Sequence, residues 1–185
     1  RDCIVEIPAE RWDGAALFDP DPRARGKSTS RWGGFIADAD KFDARYFGIA
    51  PVDAKGMDPQ ERLFLEVATE ALQDAGYARN AVAGSRIGVF VGVTHSHYQL
   101  FAAEETAHGS PTFVGAAYAS IANRVSYHYD LDGPSMAVDT MCSSSLSALH
   151  YACRAIWAGD CVSALVGATN LSLHPAKYQA LSRAH

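Results

Sequence analysis

Apolar residues along the 185-residue chain follow two rhythms, steps of three and four in some stretches and short runs in others, and their order sets the expected architecture. Asp58-Pro59, with Glu61 behind it, reads as a capped helix start with proline at the first helical position. Leu63, Phe64, Val67, Ala68, Ala71, Leu72 and Ala75 then line one face, and Gly76 closes the helix. Tyr118, Ile121, Ala122 and Val125 repeat the spacing between Gly115 and His128, with Asn123 and Arg124 on the other side. Leu146, Leu149, Cys153, Ile156 and Trp157 do so a third time, ahead of Gly159.

The runs between these helices read as strands. Arg86 to Val93 sets Ile87, Val89, Val91 and Val93 against Gly88, Phe90 and Gly92, so both faces suit burial and an inner strand of an α/β sheet is expected. Ser135 to Asp139 opens after Gly133-Pro134, and Cys161 to Gly167 is a further apolar run. Residues 135–167 therefore predict a βαβ unit with two parallel strands and a right-handed crossover. Phe18 to Thr29, with its Asp-Pro-Asp-Pro, Gly and Ser, reads as a long irregular loop. No repeat, linker or low-complexity stretch breaks the chain.

Candidate chemistry gathers where the first strand of the βαβ unit gives way to its helix, at Val138-Asp139-Thr140-Met141-Cys142-Ser143-Ser144-Ser145-Leu146. The spacing puts Cys142 in the first helical turn. Unpaired backbone N–H groups and the positive end of the helix dipole there favour a thiolate, the form a nucleophile needs. The bland alternative is an inert buried cysteine, since free cysteine is among the most often buried residue types.

A thiolate nucleophile commonly works with a histidine. His150 is eight residues beyond Cys142, about 12 Å along a helix axis, and out of reach. His95 and His97 alternate so as to point the same way, without a Cys, Asp or Glu at metal spacing, and read as a solvent-facing pair. His108 and His128 sit in loop-like or helix-end contexts and read as chemically idle. His174 is the local rival, because its loop, Asn170 to Pro175, follows a strand parallel to the one before Cys142 and is expected at the same sheet edge. A cysteine hydrolase using Cys142 and His174 is the competing enzyme reading, set against a loop histidine held by Pro175.

Composition narrows the field further. With 48% apolar and 20% charged residues the chain is an ordinary globular one, and a net charge of −5 without a basic aromatic-interleaved stripe argues against nucleic acid as a partner. Arg23, Arg25, Lys27 and Arg31 form the nearest thing to a basic cluster and read as a solvated loop. No apolar run of about eighteen residues exists and the N-terminus lacks a secretory layout, so no membrane segment is expected and a cytoplasmic location is. Cys3, Cys142, Cys153 and Cys161 lack zinc spacing, and Cys142 and Cys153 would stand about 16 Å apart on one helix, so reduced thiols without a metal are expected.

Gly133-Pro134-Ser135-Met136-Ala137-Val138-Asp139-Thr140-Met141-Cys142-Ser143-Ser144-Ser145-Leu146 closely resembles the active-site signature of β-ketoacyl synthase (ketosynthase) domains of modular polyketide synthases. Arg31 to Ile36, Phe42 to Ile49, Met57 to Leu63 and Glu70 to Tyr77 look like further ketosynthase landmarks in the expected order. Thr140-Met141 and Asn170-Leu171-Ser172-Leu173-His174-Pro175 look most like the trans-acyltransferase subfamily. The resemblance covers residues 1–185 and implies an α/β, thiolase-like fold: layered helices and a mixed sheet, with the βαβ unit carrying the nucleophile. It further implies that the chain is the N-terminal half of a ketosynthase domain, lacking the first strand and helix and the C-terminal half with its two catalytic histidines. Such a fragment is expected to be inactive alone and marginal as an isolated fold.

By that resemblance Cys142 accepts an acyl chain from an acyl carrier protein and supports decarboxylative Claisen condensation with malonyl carrier protein. No directly bound cofactor is implied, because phosphopantetheine arrives on the carrier protein. A homodimer is implied through the two-fold interface near Ser135 to Met141. A non-elongating ketosynthase that only passes the chain on is the closest alternative, since both histidines lie outside these residues.

Overall fold

Residues 2–109 and 115–184 are described by the computed structural model. Among them the elements run β1 (Ile4–Glu6), α1 (Gly14–Leu17), β2 (Trp32–Gly34), α2 (Pro51–Gly56), α3 (Pro59–Asp74), α4 (Arg79–Val82) and β3 (Ile87–Gly92). They continue as α5 (Tyr98–Ala107), α6 (Tyr118–Tyr129), β4 (Ser135–Val138), a 3₁₀ turn (Met141–Ser143), α7 (Ser144–Ala158), β5 (Ser163–Ala168) and α8 (Ala176–Ser182). The chain divides into two units, one of residues 40–170 and one of residues 1–39 with 171–185.

The larger unit is built on a three-stranded sheet in the order β4-β3-β5, with β3 parallel to both neighbours. β3 is buried at all six positions, as its two-faced pattern predicts. Ile87, Val89, Val91 and Val93 join the core made with α3 and α6, through Phe64, Leu65, Ala68, Leu72, Ile121, Ala122 and Val125. Phe90, on the other face, packs with Val138 and with Ala148, Ala152 and Ala155 of α7. Parallel pairing of β4 and β5 to β3 agrees with the expected βαβ unit, with β3 lying between its two strands.

Two predicted helix faces need correction. On α3, Phe64, Ala68 and Leu72 are buried together with Leu65 and Thr69, whereas Val67, Ala71 and Ala75 are exposed. Val67 and Ala71 instead line a cavity of about 150 Å³ with Leu63, Leu165 and Val166. On α7 the expected stripe is the outer one: Leu146 is 71% and Trp157 75% exposed, and Leu149 and Ile156 are also open. Ser144, Ala148, Ala152 and Ala155 face the sheet in their place. Glycine is the reason, since a Cβ on Gly92 would lie 2.7 Å from both the Ser144 carbonyl carbon and the Ser145 nitrogen. Only small residues on α7 permit so close an approach, and residue size here outweighs apolar area.

The helix termini follow the sequence signals. The Asp58 carboxylate accepts from Gln60 N–H at 2.8 Å at the start of α3, and Gly159 ends α7 at φ +80°. Glu61 does not close a capping box. Its buried carboxylate accepts from Arg124 Nε at 2.7 Å and from Ser120 Oγ at 2.8 Å, which ties α3 to α6.

In the smaller unit β1 and β2 pair antiparallel, Ile4 opposite Gly34 and Glu6 opposite Trp32. Trp12 makes edge contacts with Phe35 and Tyr178, and Tyr178 Oη donates to the Trp32 carbonyl. The segment 18–29, expected to be irregular, folds back on itself: Asp19 N–H donates to Ser28 O and Ser28 N–H to Leu17 O.

Candidate active site

Cys142 lies in the 3₁₀ turn between β4 and α7, one step ahead of the α-helix rather than inside its first turn, and it is exposed. The turn is needed because Met141, directly before the cysteine, takes φ +57°, a left-handed conformation that residues with a Cβ seldom adopt. Local hydrogen bonds hold it there. Met141 N–H donates to Asp139 Oδ1 at 2.9 Å, Ser144 Oγ donates to Met141 O at 2.6 Å, and Thr140 N–H donates to Ser144 Oγ at 3.0 Å. Ser143 Oγ turns back to Thr140 O at 2.8 Å, and the Thr140 and Ser147 hydroxyls meet at 2.8 Å.

One anchor comes from another strand. Gly92 and Val138 are partners across β3 and β4, so the residues that follow each strand end lie side by side. Thr94 Oγ1 is 3.0 Å from Asp139 Oδ1, 3.2 Å from Met141 O and 3.2 Å from Ser144 Oγ. No local cue along the chain marks Thr94, because its place beside the turn depends on which strand sits next to β4. The hydroxyls around Cys142 thus bond to one another, and the sulfur stays open to solvent.

Each remaining candidate has contacts of its own. His174 lies in the smaller unit, where its Nδ1 accepts from Ala176 N–H at 3.1 Å at the start of α8. His95 and His97 do point the same way, with rings stacked at 5.1 Å, but they are half-buried rather than solvent-facing. His128 is buried edge-on against Phe47, and burial, helped by the charge of Arg79, holds its pKa below the ordinary histidine value. In the basic cluster Arg23 pairs with Asp21, Arg31 with Glu6, and Lys27 Nζ donates to Ala16 O. None of the four cysteines forms a disulfide; Cys161 is buried and Cys3 exposed. No described helix is long and apolar enough to cross a membrane.

Comparison with known proteins places this geometry. The family model described as the N-terminal domain of β-ketoacyl synthase matches residues 1–185. Polyketide synthase ThaG of Burkholderia thailandensis is 59% identical over 182 residues, which cover 98% of the chain and 3% of that synthase. Polyketide synthase PksL of Bacillus subtilis is 50% identical over 99% of the chain and 4% of its own length. Among solved structures, the oxazolomycin ketosynthase domain OzmH KS7 of Streptomyces albus matches with a TM-score of 0.94 at 50% identity, over the whole chain and 32% of the matched one. The ketosynthase from module 6 of the bacillaene synthase of Bacillus subtilis matches with a TM-score of 0.86 at 33% identity, over the whole chain and 29% of its length. The chain therefore spans about a third of the solved domains it resembles and a few percent of the synthases.

Proposed function

The chain belongs to the β-ketoacyl synthase family, and from that premise we propose that Cys142 is the acyl-accepting nucleophile of a condensing site in polyketide biosynthesis. The fold is the N-terminal half of a thiolase-like ketosynthase domain. In the proposed reaction an acyl chain arrives as a thioester on the phosphopantetheine arm of an acyl carrier protein. The Cys142 thiolate adds to the thioester carbonyl, and backbone N–H groups of the turn ahead of α7, its own included, hold the oxyanion. Collapse of that adduct expels the phosphopantetheine thiolate and leaves the chain on Cys142.

Condensation follows when malonyl carrier protein loses carbon dioxide and the resulting enolate carbon attacks the Cys142 thioester. The cysteine thiolate leaves, and a β-ketoacyl chain remains on the carrier protein. The enolate needs hydrogen-bond donors, which by family resemblance are two histidines that are not among these residues. The Thr140-Met141 pair before the cysteine supports a trans-acyltransferase type of assembly line. A second copy of the chain pairing near Ser135 to Met141 completes the reading, with the cytoplasm as its location.

The observation that carries this reading is the exposed thiol on a hydrogen-bonded turn at the carboxyl end of a parallel strand, where open α/β sheets place their sites. Intact-mass analysis tests it in a ketosynthase domain completed around this chain and incubated with an acyl-pantetheine thioester. One acyl adduct is expected, absent in Cys142→Ala; an adduct that survives in Cys142→Ala removes the assignment.

A further inference from the structure

The bonds that hold Met141 left-handed are local except for those from Thr94. Asp139 and Ser144 belong to the same stretch of chain as Cys142, whereas Thr94 reaches in from the end of β3. Proton count fixes the direction of each bond. Ser144 has one hydroxyl proton and places it on Met141 O at 2.6 Å while accepting from Thr140 N–H. The Thr94 proton is then best placed on the charged acceptor, Asp139 Oδ1 at 3.0 Å, the same oxygen that receives Met141 N–H.

Thr94 is itself held from behind. Tyr118 Oη donates to its carbonyl at 2.8 Å, Gln60 Nε2 donates to the next carbonyl, His95 O, at 2.7 Å, and Ser96 Oγ donates to buried Asp58 at 2.8 Å. The segment after β3 is therefore pinned to the starts of α3 and α6. A fixed hydroxyl on a fixed segment sets the position of the Asp139 carboxylate, and that carboxylate sets the Met141 amide.

We propose that Thr94 is a positioning residue for the nucleophile: its hydroxyl, acting through Asp139, keeps Met141 left-handed and so fixes the direction in which Cys142 Sγ leaves the turn. This rests on the reading of Cys142 as the acyl acceptor. Thr94 does not touch the reacting atoms; it acts by holding the turn in one conformation, so that no reorganisation is needed when the thioester arrives.

The test compares Thr94→Val, Thr94→Ser and Asp139→Asn in a ketosynthase domain completed around this chain. Acylation of Cys142 by an acyl-pantetheine thioester is followed by intact mass over a range of thioester concentrations, beside thermal unfolding of each variant. Thr94→Val keeps the shape and loses the donor, and should lower the limiting acylation rate about tenfold, since small misplacements of reacting groups carry penalties of that order or more. The concentration for half-maximal rate should change little. Thr94→Ser keeps the donor and should restore the rate to near wild type, which a simple packing role for the threonine side chain would not do. Asp139→Asn should slow acylation in the same direction, and adding Thr94→Val to it should bring little further loss.

Thr94→Val acylating within twofold of wild type, Thr94→Ser as slow as Thr94→Val, or full additivity of the two changes would each overturn the proposal. Should Thr94→Val fail to fold, Asp139→Asn with a wild-type rate overturns it alone. An adduct persisting in Cys142→Ala would instead sink the nucleophile reading, which separates the two failures.

Discussion

Gly92 decides how close α7 sits to the sheet, because a methyl group there would press on the backbone of Ser144 and Ser145. Backbone cannot swing aside as a flexible side chain can. Gly92→Ala should therefore cost about 1–3 kcal/mol of stability, as overpacking does, and slow Cys142 acylation as well; denaturant titration beside the mass assay checks both. His174→Ala tests the hydrolase alternative, since loss of acylation would revive it, whereas removal of a residue whose Nδ1 serves the start of α8 should leave acylation intact. At His128 the buried imidazole resists protonation in the folded chain. The unfolded chain binds the proton first as pH falls through about 6.5, so stability is intact above that value and declines below it until the folded histidine also titrates. Denaturant midpoints at pH 7.5 and 5.5 should fall further in wild type than in His128→Phe.

The joint between α3 and α6 rests on Glu61, which is 1% exposed and takes bonds from Arg124 and Ser120. Glu61→Ala should cost about 1–3 kcal/mol, because the half-exposed donors Arg124 and Ser120 lose a charged acceptor, and the loss is read as a shift of the denaturant midpoint at unchanged slope. The start and end of α3, the end of α7, the span of α6 and the inner position of β3 were all legible in the sequence, whereas the 3₁₀ turn ahead of α7 was not. Caps and glycines act within a few residues, so their signals are local. Which side of α7 meets the sheet was not legible, because apolar spacing marks the greasier stripe and not the slimmer one. Gly92 turns the slimmer stripe of Ser144, Ala148, Ala152 and Ala155 inward, and its effect on α7 depends on strands paired across long stretches of chain. The same distance hid Thr94, whereas Cys142 was marked by its own neighbours. β1 and β2 escaped notice because three-residue strands are too short to show alternation.

Over the whole molecule the described surface carries one apolar helix face, that of Leu146, Leu149 and Trp157, without a covering partner in this chain. Contiguous apolar surface of this kind drives association in water. The 185-residue chain by itself should bind a hydrophobic dye and scatter light at micromolar concentration, and Leu146→Glu with Trp157→Glu should reduce both signals. The order of strands carries a different consequence, one of timing. β3, the middle strand, is the first of the three to be synthesised, and both strands that flank it, β4 and β5, follow much later in the chain. During synthesis a fully apolar segment must therefore wait unpaired until Ser135–Val138 and then Ser163–Ala168 emerge. Parallel sheets with such distant pairings fold slowly and expose their cores meanwhile. A ribosome stalled before residue 135 should accordingly hold a nascent chain that a chaperone binds at Ile87–Gly92, and that lets go once β5 is out.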